Sequence, residues 1–475
     1  MIGQGIQRAA FALFLLTLVW APFPLGSNRP WAWSLLALLL AVALALHAAG
    51  ALVGGSWGHV PGAVKAAALL WAAVSLWALL QAAPGLVPAG WVHPFWWEVR
   101  EAGLEVPGAA SLSPELVWDA LLRLWSFALA FALAFLFAQR SERARILFRT
   151  LAAAATGYAL YGLVIHFGGI GWIVPGVERT YPIRLSSTFV NPNNYATYAN
   201  LALLVVLGLL FARIIGVASI IDLRKRLQEL LDGLLGRNGF LLLALFLIAT
   251  ASLLSASRGG FLSLAGALWV FLLLLYLLTR PRRRNAALAL ALTAAAGWGL
   301  VSLSGELLLV RLEALGTGNV FRLNLYELTL AMAGERPLLG HGYGSYPDLF
   351  RLYRDERFGV GVTKAHNTYL EHAAELGLPA TLLLYLAPLI LFLFLLRGLF
   401  QRRRQQLYPL VAAAATVLVA LHALVDFSLQ IPAVGVTYAT ILGAGVAQAI
   451  PSRLRRPTRP RTASPSRRER ELQPA

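Results

Sequence analysis

Apolar runs of about twenty residues recur from one end of the chain to the other, and runs of that length decide the fold class before any other feature is read. A helix rises about 1.5 Å per residue, so roughly 20 residues cross a hydrocarbon core of about 30 Å. Within that core each backbone N–H and C=O must find its partner inside the segment, which selects the helix. Twelve such runs are read in the 475 residues: near Ala9 to Leu25, Trp31 to Leu46, Val64 to Leu80, Leu116 to Ala138, Ile146 to Phe167, Tyr195 to Ile215, Phe240 to Ala256, Phe261 to Thr279, Ala286 to Leu303, Thr368 to Leu396, Pro409 to Phe427 and Ile431 to Ile450. Composition agrees, with 58% hydrophobic and 13% charged residues against about 45–50% and 25% in globular chains. A water-soluble domain is excluded. The first run follows Arg8 and has the length of a signal-peptide core, but no small-x-small cleavage site precedes Trp31, so it is read as a retained helix.

The net charge of +18 would suggest nucleic-acid binding in a soluble chain, so its placement matters. With both termini cytoplasmic, 27 of the 40 Lys and Arg fall on inner segments and 12 on outer ones, with Arg123 inside a helix. Dense Arg in short inner loops is the orientation signal of a polytopic membrane protein. The surplus therefore faces the cytoplasm and anionic lipid, and no nucleic-acid partner is expected. The chain has no cysteine, which removes disulfides, thiolate metal sites and cysteine nucleophiles. Residues 1–450 read as one polytopic membrane domain, and 451–475, rich in Pro, Ser and Arg, as a basic disordered cytoplasmic tail. Between the ninth and tenth runs lies an outer loop of residues 304–367, and loops of that length are usually functional. Within it, Val320 to Ala333 has the spacing of an amphipathic helix on the outer membrane face, followed by the turn Gly340-His341-Gly342-Tyr343-Gly344.

Charged and titratable residues on the outer side are the candidates for chemistry, because each is costly beside lipid. Arg258 sits in SASRGGFLSL, where two glycines permit close approach and Ser252, Ser255 and Ser257 suggest a polar pocket rather than a snorkelling side chain. His366 precedes a helix start at which Thr368 and Glu371 have capping-box spacing; such an end attracts anions, and a histidine there is a candidate general base or phosphate ligand. His422 and Asp426 lie four residues apart on one face, with Asp426 a candidate counter-ion for an outer arginine. Glu371 and Glu375 share a pitch from which either could orient His366 or pair with an arginine. Asp119 and Arg123 read as a structural pair. No Asp-x-Asp, His-x-x-x-His, His-Glu-x-x-His or phosphate-binding Gly-rich loop is present, so neither a metal nor another cofactor is expected. Fixed positive charge plus one candidate base beside lipid suits a lipid carrying a phosphate or diphosphate.

The pieces RLSSTFVNPNNYATY from Arg184, SASRGGFLSL, the segment from Arg322 through RPLLGHGYGSY, AHNTYLEHAAELGLPA, and the late His422, Asp426 and Pro432 together resemble the O-antigen ligase and polymerase superfamily of bacterial membrane glycosyltransferases, over residues 184–432. The resemblance implies an all-α integral membrane protein of about 12 transmembrane helices in the inner membrane. Its periplasmic active site would include the 304–367 loop with short amphipathic helices. It implies transfer of a glycan from undecaprenyl diphosphate to an acceptor hydroxyl, without a metal and with inversion. In a ligase the acceptor is a lipid A core sugar or another surface glycan, and in a polymerase a second lipid-linked repeat unit. Arg184, Arg258 and Arg322 would bind the diphosphate, His366 and Arg258 would be catalytic, and Arg179, Asn191, Asn193, Glu371, Glu375, His422 and Asp426 would support them. Two further histidines, His341 and His372, leave open which one matters. A twelve-helix secondary transporter is the competing class, but the two halves of the chain show no correspondence to one another.

Overall fold

The computed structural model describes residues 2–54, 58–217, 239–278, 316–359, 361–402 and 405–450, and in these the chain is overwhelmingly helical. Numbered in chain order, the helices are α1 (Ile2–Trp20), α2 (Pro30–Leu52), α3 (Gly62–Gln81), α4 (Phe95–Glu101), α5 (Val117–Ala138), α6 (Ser141–Phe167), α7 (Pro192–Val217), α8 (Gly239–Leu254), α9 (Arg258–Leu278), α10 (Gly316–Glu335), α11 (Tyr346–Tyr353), α12 (Thr368–Leu376), α13 (Leu378–Gln401), α14 (Leu407–Ala423) and α15 (Pro432–Ala449). A two-stranded antiparallel hairpin, β1 (Trp172–Val174) and β2 (Val177–Glu178), follows α6. Among the described residues, eight helices are long and apolar enough to cross a bilayer: α1, α2, α3, α5, α6, α7, α9 and α13; α8 and α14 are shorter apolar helices. The chain is a multi-pass all-α membrane protein. The ninth run, 286–303, the tail from 451 and the start of the 304–367 segment lie outside the described residues.

The tenth run is not one helix. Gly377 adopts φ +78° and breaks it into α12 and α13, because the preceding loop crosses there: a Cβ on Gly377 would lie 2.5 Å from the Leu338 carbonyl oxygen. At the centre of the bundle stands α15, every residue of which is buried. Its sequence explains this, since Gly and Ala allow neighbouring backbones to approach as they do in packed membrane helices. A Cβ on Gly443 would sit 2.5 Å from the Phe131 carbonyl oxygen of α5.

Beyond the bundle, α10, α11 and α12 share a second apolar cluster that includes Leu325, Leu328, Met332, Tyr346, Phe350 and Ala374. The amphipathic segment expected to lie against the membrane face thus buries one side against protein, while Val320, Leu323 and Leu330 stay exposed. This cap is tied to the α3–α5 connection by a chain of neutral imidazoles. The Phe95 N–H donates to His93 Nδ1 (3.2 Å), so His93 Nε2 carries the proton toward His341 Nδ1 (2.9 Å), and His341 Nε2 donates to the Met332 carbonyl (2.9 Å). Burial, reinforced by the neighbouring His341 and Arg336, holds His93 down at about 3; burial also lowers His341. His341 is therefore committed to holding the cap.

Candidate active site

The Asn-Pro-Asn-Asn sequence starts α7 by satisfying its own first donors. The Asn191 side-chain oxygen accepts the Asn193 N–H (2.8 Å), and its carbonyl accepts the N–H groups of Asn194 and Tyr195, with Pro192 at the first helical position, where its missing donor costs nothing. This start leaves the Asn193 side chain free to bridge. Its Oδ1 accepts from Arg184 Nη2 (2.7 Å) and its Nδ2 donates to Asp426 Oδ2 (2.7 Å). Arg184 is further fixed by the carbonyl oxygens of Ser255 (2.8 Å) and Ala256 (3.3 Å) at the α8–α9 corner. Arg179 sits behind it, donating to the Arg184 carbonyl (3.1 Å) and lying 3.4 Å from His166 Nδ1, so it braces the loop that carries Arg184.

Asp426 Oδ2 is the meeting point. Besides Asn193, it faces Arg322 Nη2 of α10 at 4.0 Å and His366 Nδ1 at 3.9 Å, while Oδ1 accepts the Phe427 N–H (2.7 Å). The carboxylate is buried, at 2% exposure, whereas the Arg322 and His366 side chains are 38% and 23% exposed. One buried anion therefore anchors groups that open outward. Arg258 opens α9 with its side chain exposed. Burial draws the Arg184 pKa below its ordinary value, with Arg322 and Arg258 adding to the shift and Tyr181 and Asp426 opposing it. Arg322 and Arg258 are thus close enough for their charge to be felt at Arg184, with Asp426 opposing them.

His366 has φ +53°, a left-handed backbone that is unusual for a non-glycine residue and persists only where its surroundings enforce it. The restraints are visible. Tyr326 OH donates to the His366 carbonyl (2.9 Å), the Ala365 N–H donates to Glu371 Oε2 (2.8 Å), and the Asn367 side chain caps α12 by accepting from the N–H groups of Tyr369 and Leu370. The cap is Asn367 rather than Thr368, and Glu371 does not close a capping box, because Lys364 Nζ (2.8 Å) and the Ala365 N–H hold its carboxylate.

Several expected partnerships are replaced by others. Among the described residues Glu371 and Glu375 neither pair with an arginine nor bond His366; Glu375 accepts the Tyr346 N–H (3.0 Å). His372 is bonded to Tyr385 OH (2.8 Å). His422 is buried with Nδ1 3.4 Å from Thr197 Oγ1, and no hydrogen bond joins it to the Asp426 carboxylate. The serines near Arg258 hold the corner instead of lining a pocket. Ser252 donates to Asn200 Oδ1, Ser255 donates to the Ser252 carbonyl, and Ser257 Oγ accepts the Gly260 N–H. Among the three histidines, His366 is the one brought to the arginines. Lys364 and Tyr326 were not read from the sequence. Lys364 is one of three lysines in an arginine-rich chain, and Tyr326 lies one helical turn beyond Arg322.

Chemically, the cluster offers fixed positive charge for an anion with several oxygens, and an imidazole whose Nδ1 faces a buried carboxylate. Residues 243–385 match the family model described as O-antigen ligase, a stretch that contains Arg258, Arg322 and His366. The match bears out the resemblance to the O-antigen ligase and polymerase superfamily. No curated protein matches the chain.

Proposed function

We propose, from the kinship of residues 243–385 with O-antigen ligases, that this chain is a bacterial inner-membrane glycosyltransferase. It takes a glycan from undecaprenyl diphosphate and passes it to an acceptor hydroxyl on the periplasmic side. The observation that carries the proposal is the Asp426 carboxylate, which bonds Asn193 and through it Arg184, and lies 4.0 and 3.9 Å from Arg322 and His366. As the bond between the sugar and the diphosphate breaks, negative charge grows on the leaving diphosphate. Guanidiniums already in position stabilise that charge more in the transition state than in the ground state. Arg184 and Arg322 bind the diphosphate, and Arg258, whose side chain is exposed, closes on it.

His366 takes the proton of the acceptor hydroxyl on Nε2 as that oxygen attacks the anomeric carbon. Its Nδ1–H turns to Asp426 and closes the 3.9 Å gap as the imidazolium forms. Attack opposite the leaving diphosphate inverts the anomeric centre.

Arg258→Ala tests the assignment in purified, membrane-reconstituted protein given lipid-linked glycan and acceptor. Transfer is expected to disappear while insertion and thermal stability are retained; normal transfer would sink the role of Arg258. In the same assay a ligase yields a single modified acceptor, whereas a polymerase yields a ladder of lipid-linked products.

A further inference from the structure

A cavity of about 460 Å³ lies between α3, α5, α13 and α15, inside the range of about 300–1,000 Å³ typical of ligand sites. Most of its wall is apolar, with Leu124, Phe131, Leu384 and Leu391 among the lining residues, but one end carries Arg123, Lys364 and Gln430. Lys364 there is paired with Glu371 (2.8 Å), but Arg123 has no such partner among the described residues. Arg123 was expected to pair with Asp119, yet the Asp119 carboxylate accepts from Trp33 Nε1 (3.2 Å). Among the described residues the guanidinium donates to the Asp119 backbone carbonyl (3.1 Å) and lies over the face of Trp33 (5.0 Å). Among the described residues no carboxylate lies within ion-pair distance of Arg123. Gln430 is oriented by Lys364, whose Nζ donates to its Oε1, and this leaves Gln430 Nε2 buried without a partner. Trp71 Nε1, on the same cavity, is likewise buried and unpartnered. Glu375, the carboxylate on the lining, has its Oε1 on the Tyr346 N–H. An unpaired guanidinium beside lipid is costly unless something supplies the opposing charge.

The cavity also shares a wall with the arginine cluster. Thr368 lines it while donating its hydroxyl to the Asp426 carbonyl (2.9 Å). Lys364 stands two residues before His366, and Gln430 four beyond Asp426. Residues 364–368 and 426–430 therefore separate two compartments, with His366 and Asp426 turned to one and Lys364, Thr368 and Gln430 lining the other.

We infer that this cavity binds a second phosphate-bearing lipid, the glycan acceptor, with its chains along the apolar wall and a phosphate at Arg123 and Gln430 Nε2. The inference rests on the glycosyl-transfer reading for the word acceptor. Either form of the reaction supplies such a lipid: a phosphorylated lipid A, or a second polyprenyl diphosphate.

Binding is measured apart from turnover, by native mass spectrometry of detergent-purified protein with lipid A, undecaprenyl diphosphate or phosphatidylglycerol as probes. The wild type should bind lipid A, or a second equivalent of undecaprenyl diphosphate. Arg123→Gln should weaken that binding tenfold or more, Arg123→Lys should restore part of it, and Ala128→Trp, which fills the apolar wall, should weaken it while leaving the first equivalent of undecaprenyl diphosphate unchanged. Three results would overturn the inference: Arg123→Gln and Ala128→Trp both leave binding unchanged; Arg123→Gln removes the first equivalent, making this the donor site; or phosphatidylglycerol binds as tightly and is weakened alike, making it a groove for bulk lipid. Failure of the wild type to transfer glycan refutes the reaction assigned above, and the binding comparison is read independently of it.

Discussion

Exchanging Asp426 for asparagine preserves the shape of the side chain and removes the one anion at the centre of the cluster. Two charges 3.9 Å apart, the separation of Asp426 Oδ2 and His366 Nδ1, attract by about 4 kcal/mol at an effective dielectric constant of about 20. The His366 side chain is 23% exposed, and solvent screening reduces this to roughly 2 kcal/mol. That attraction grows as the imidazolium forms, so it counts against the barrier. At 1.36 kcal/mol per tenfold, kcat should fall about 30-fold in Asp426→Asn, with about 1,000-fold as the unscreened ceiling. The assay is initial-rate glycan transfer in reconstituted vesicles, with donor and acceptor varied separately. A kcat within threefold of wild type, in a preparation where His366→Ala is inactive, would refute the relay from Asp426 to His366. A rise confined to the donor KM would instead make Asp426 a device for holding Arg322.

Asn193→Ala removes two hydrogen bonds to charged groups, each worth about 1.5–3 kcal/mol. Because Arg184 keeps the Ser255 and Ala256 carbonyls, the expected result is a rise of roughly 10- to 100-fold in donor KM, measured by the same rates; an unchanged donor KM would remove Asn193 from the site. The imidazole chain of the cap gives a pH prediction. Unfolded His93 titrates near its ordinary value of about 6.5, but in the folded cap it titrates at about 3. The folded form therefore binds fewer protons between these limits and loses stability as pH falls through them. The protection factor of the Leu112 amide, whose N–H is bonded to the His341 carbonyl, should fall on acidification from pH 7 to 4, once the slower intrinsic exchange at low pH is divided out. The fall should be smaller in His93→Phe, and equal pH slopes of the protection factor in the two proteins would dispose of the idea.

Much of the candidate site was legible because the chain is so apolar. In such a sequence Arg184, Arg258, Arg322, His366 and Asp426 stand out one by one, and the cost of each charge beside lipid makes it informative. The membrane helices were legible for the same reason. What periodicity could not show is how loops cross them. The break at Gly377 depends on the backbone at Leu338, nearly forty residues away, and no local pattern records that approach. The capping box failed through competition: Thr368 and Glu371 have the right spacing, but Asn367 caps the helix and Lys364 draws Glu371 away. Asp119 and Arg123 also stand at pairing distance along α5, yet Trp33 from α2 takes the carboxylate. At Gly377 and Asp119 the decisive partner is distant in sequence, and at α12 it is a neighbour that competes for the same groups.

The wholly buried α15 bears on how mutations in this protein should be interpreted. Its eighteen residues are all buried, and at Gly443 and Gly445 an added methyl group would meet the Phe131 carbonyl oxygen of α5 and the Ala412 side chain of α14 at 2.5 and 2.3 Å, so it has nowhere to go. Inactive variants gathered in a random screen should therefore crowd into 434–446 as densely as around His366. An inactive Gly443→Val would reveal crowding against α5 and say nothing about catalysis. Membrane abundance of each variant separates the two kinds, since an arginine or histidine variant of the cluster persists in the membrane while a crowded α15 is cleared from it.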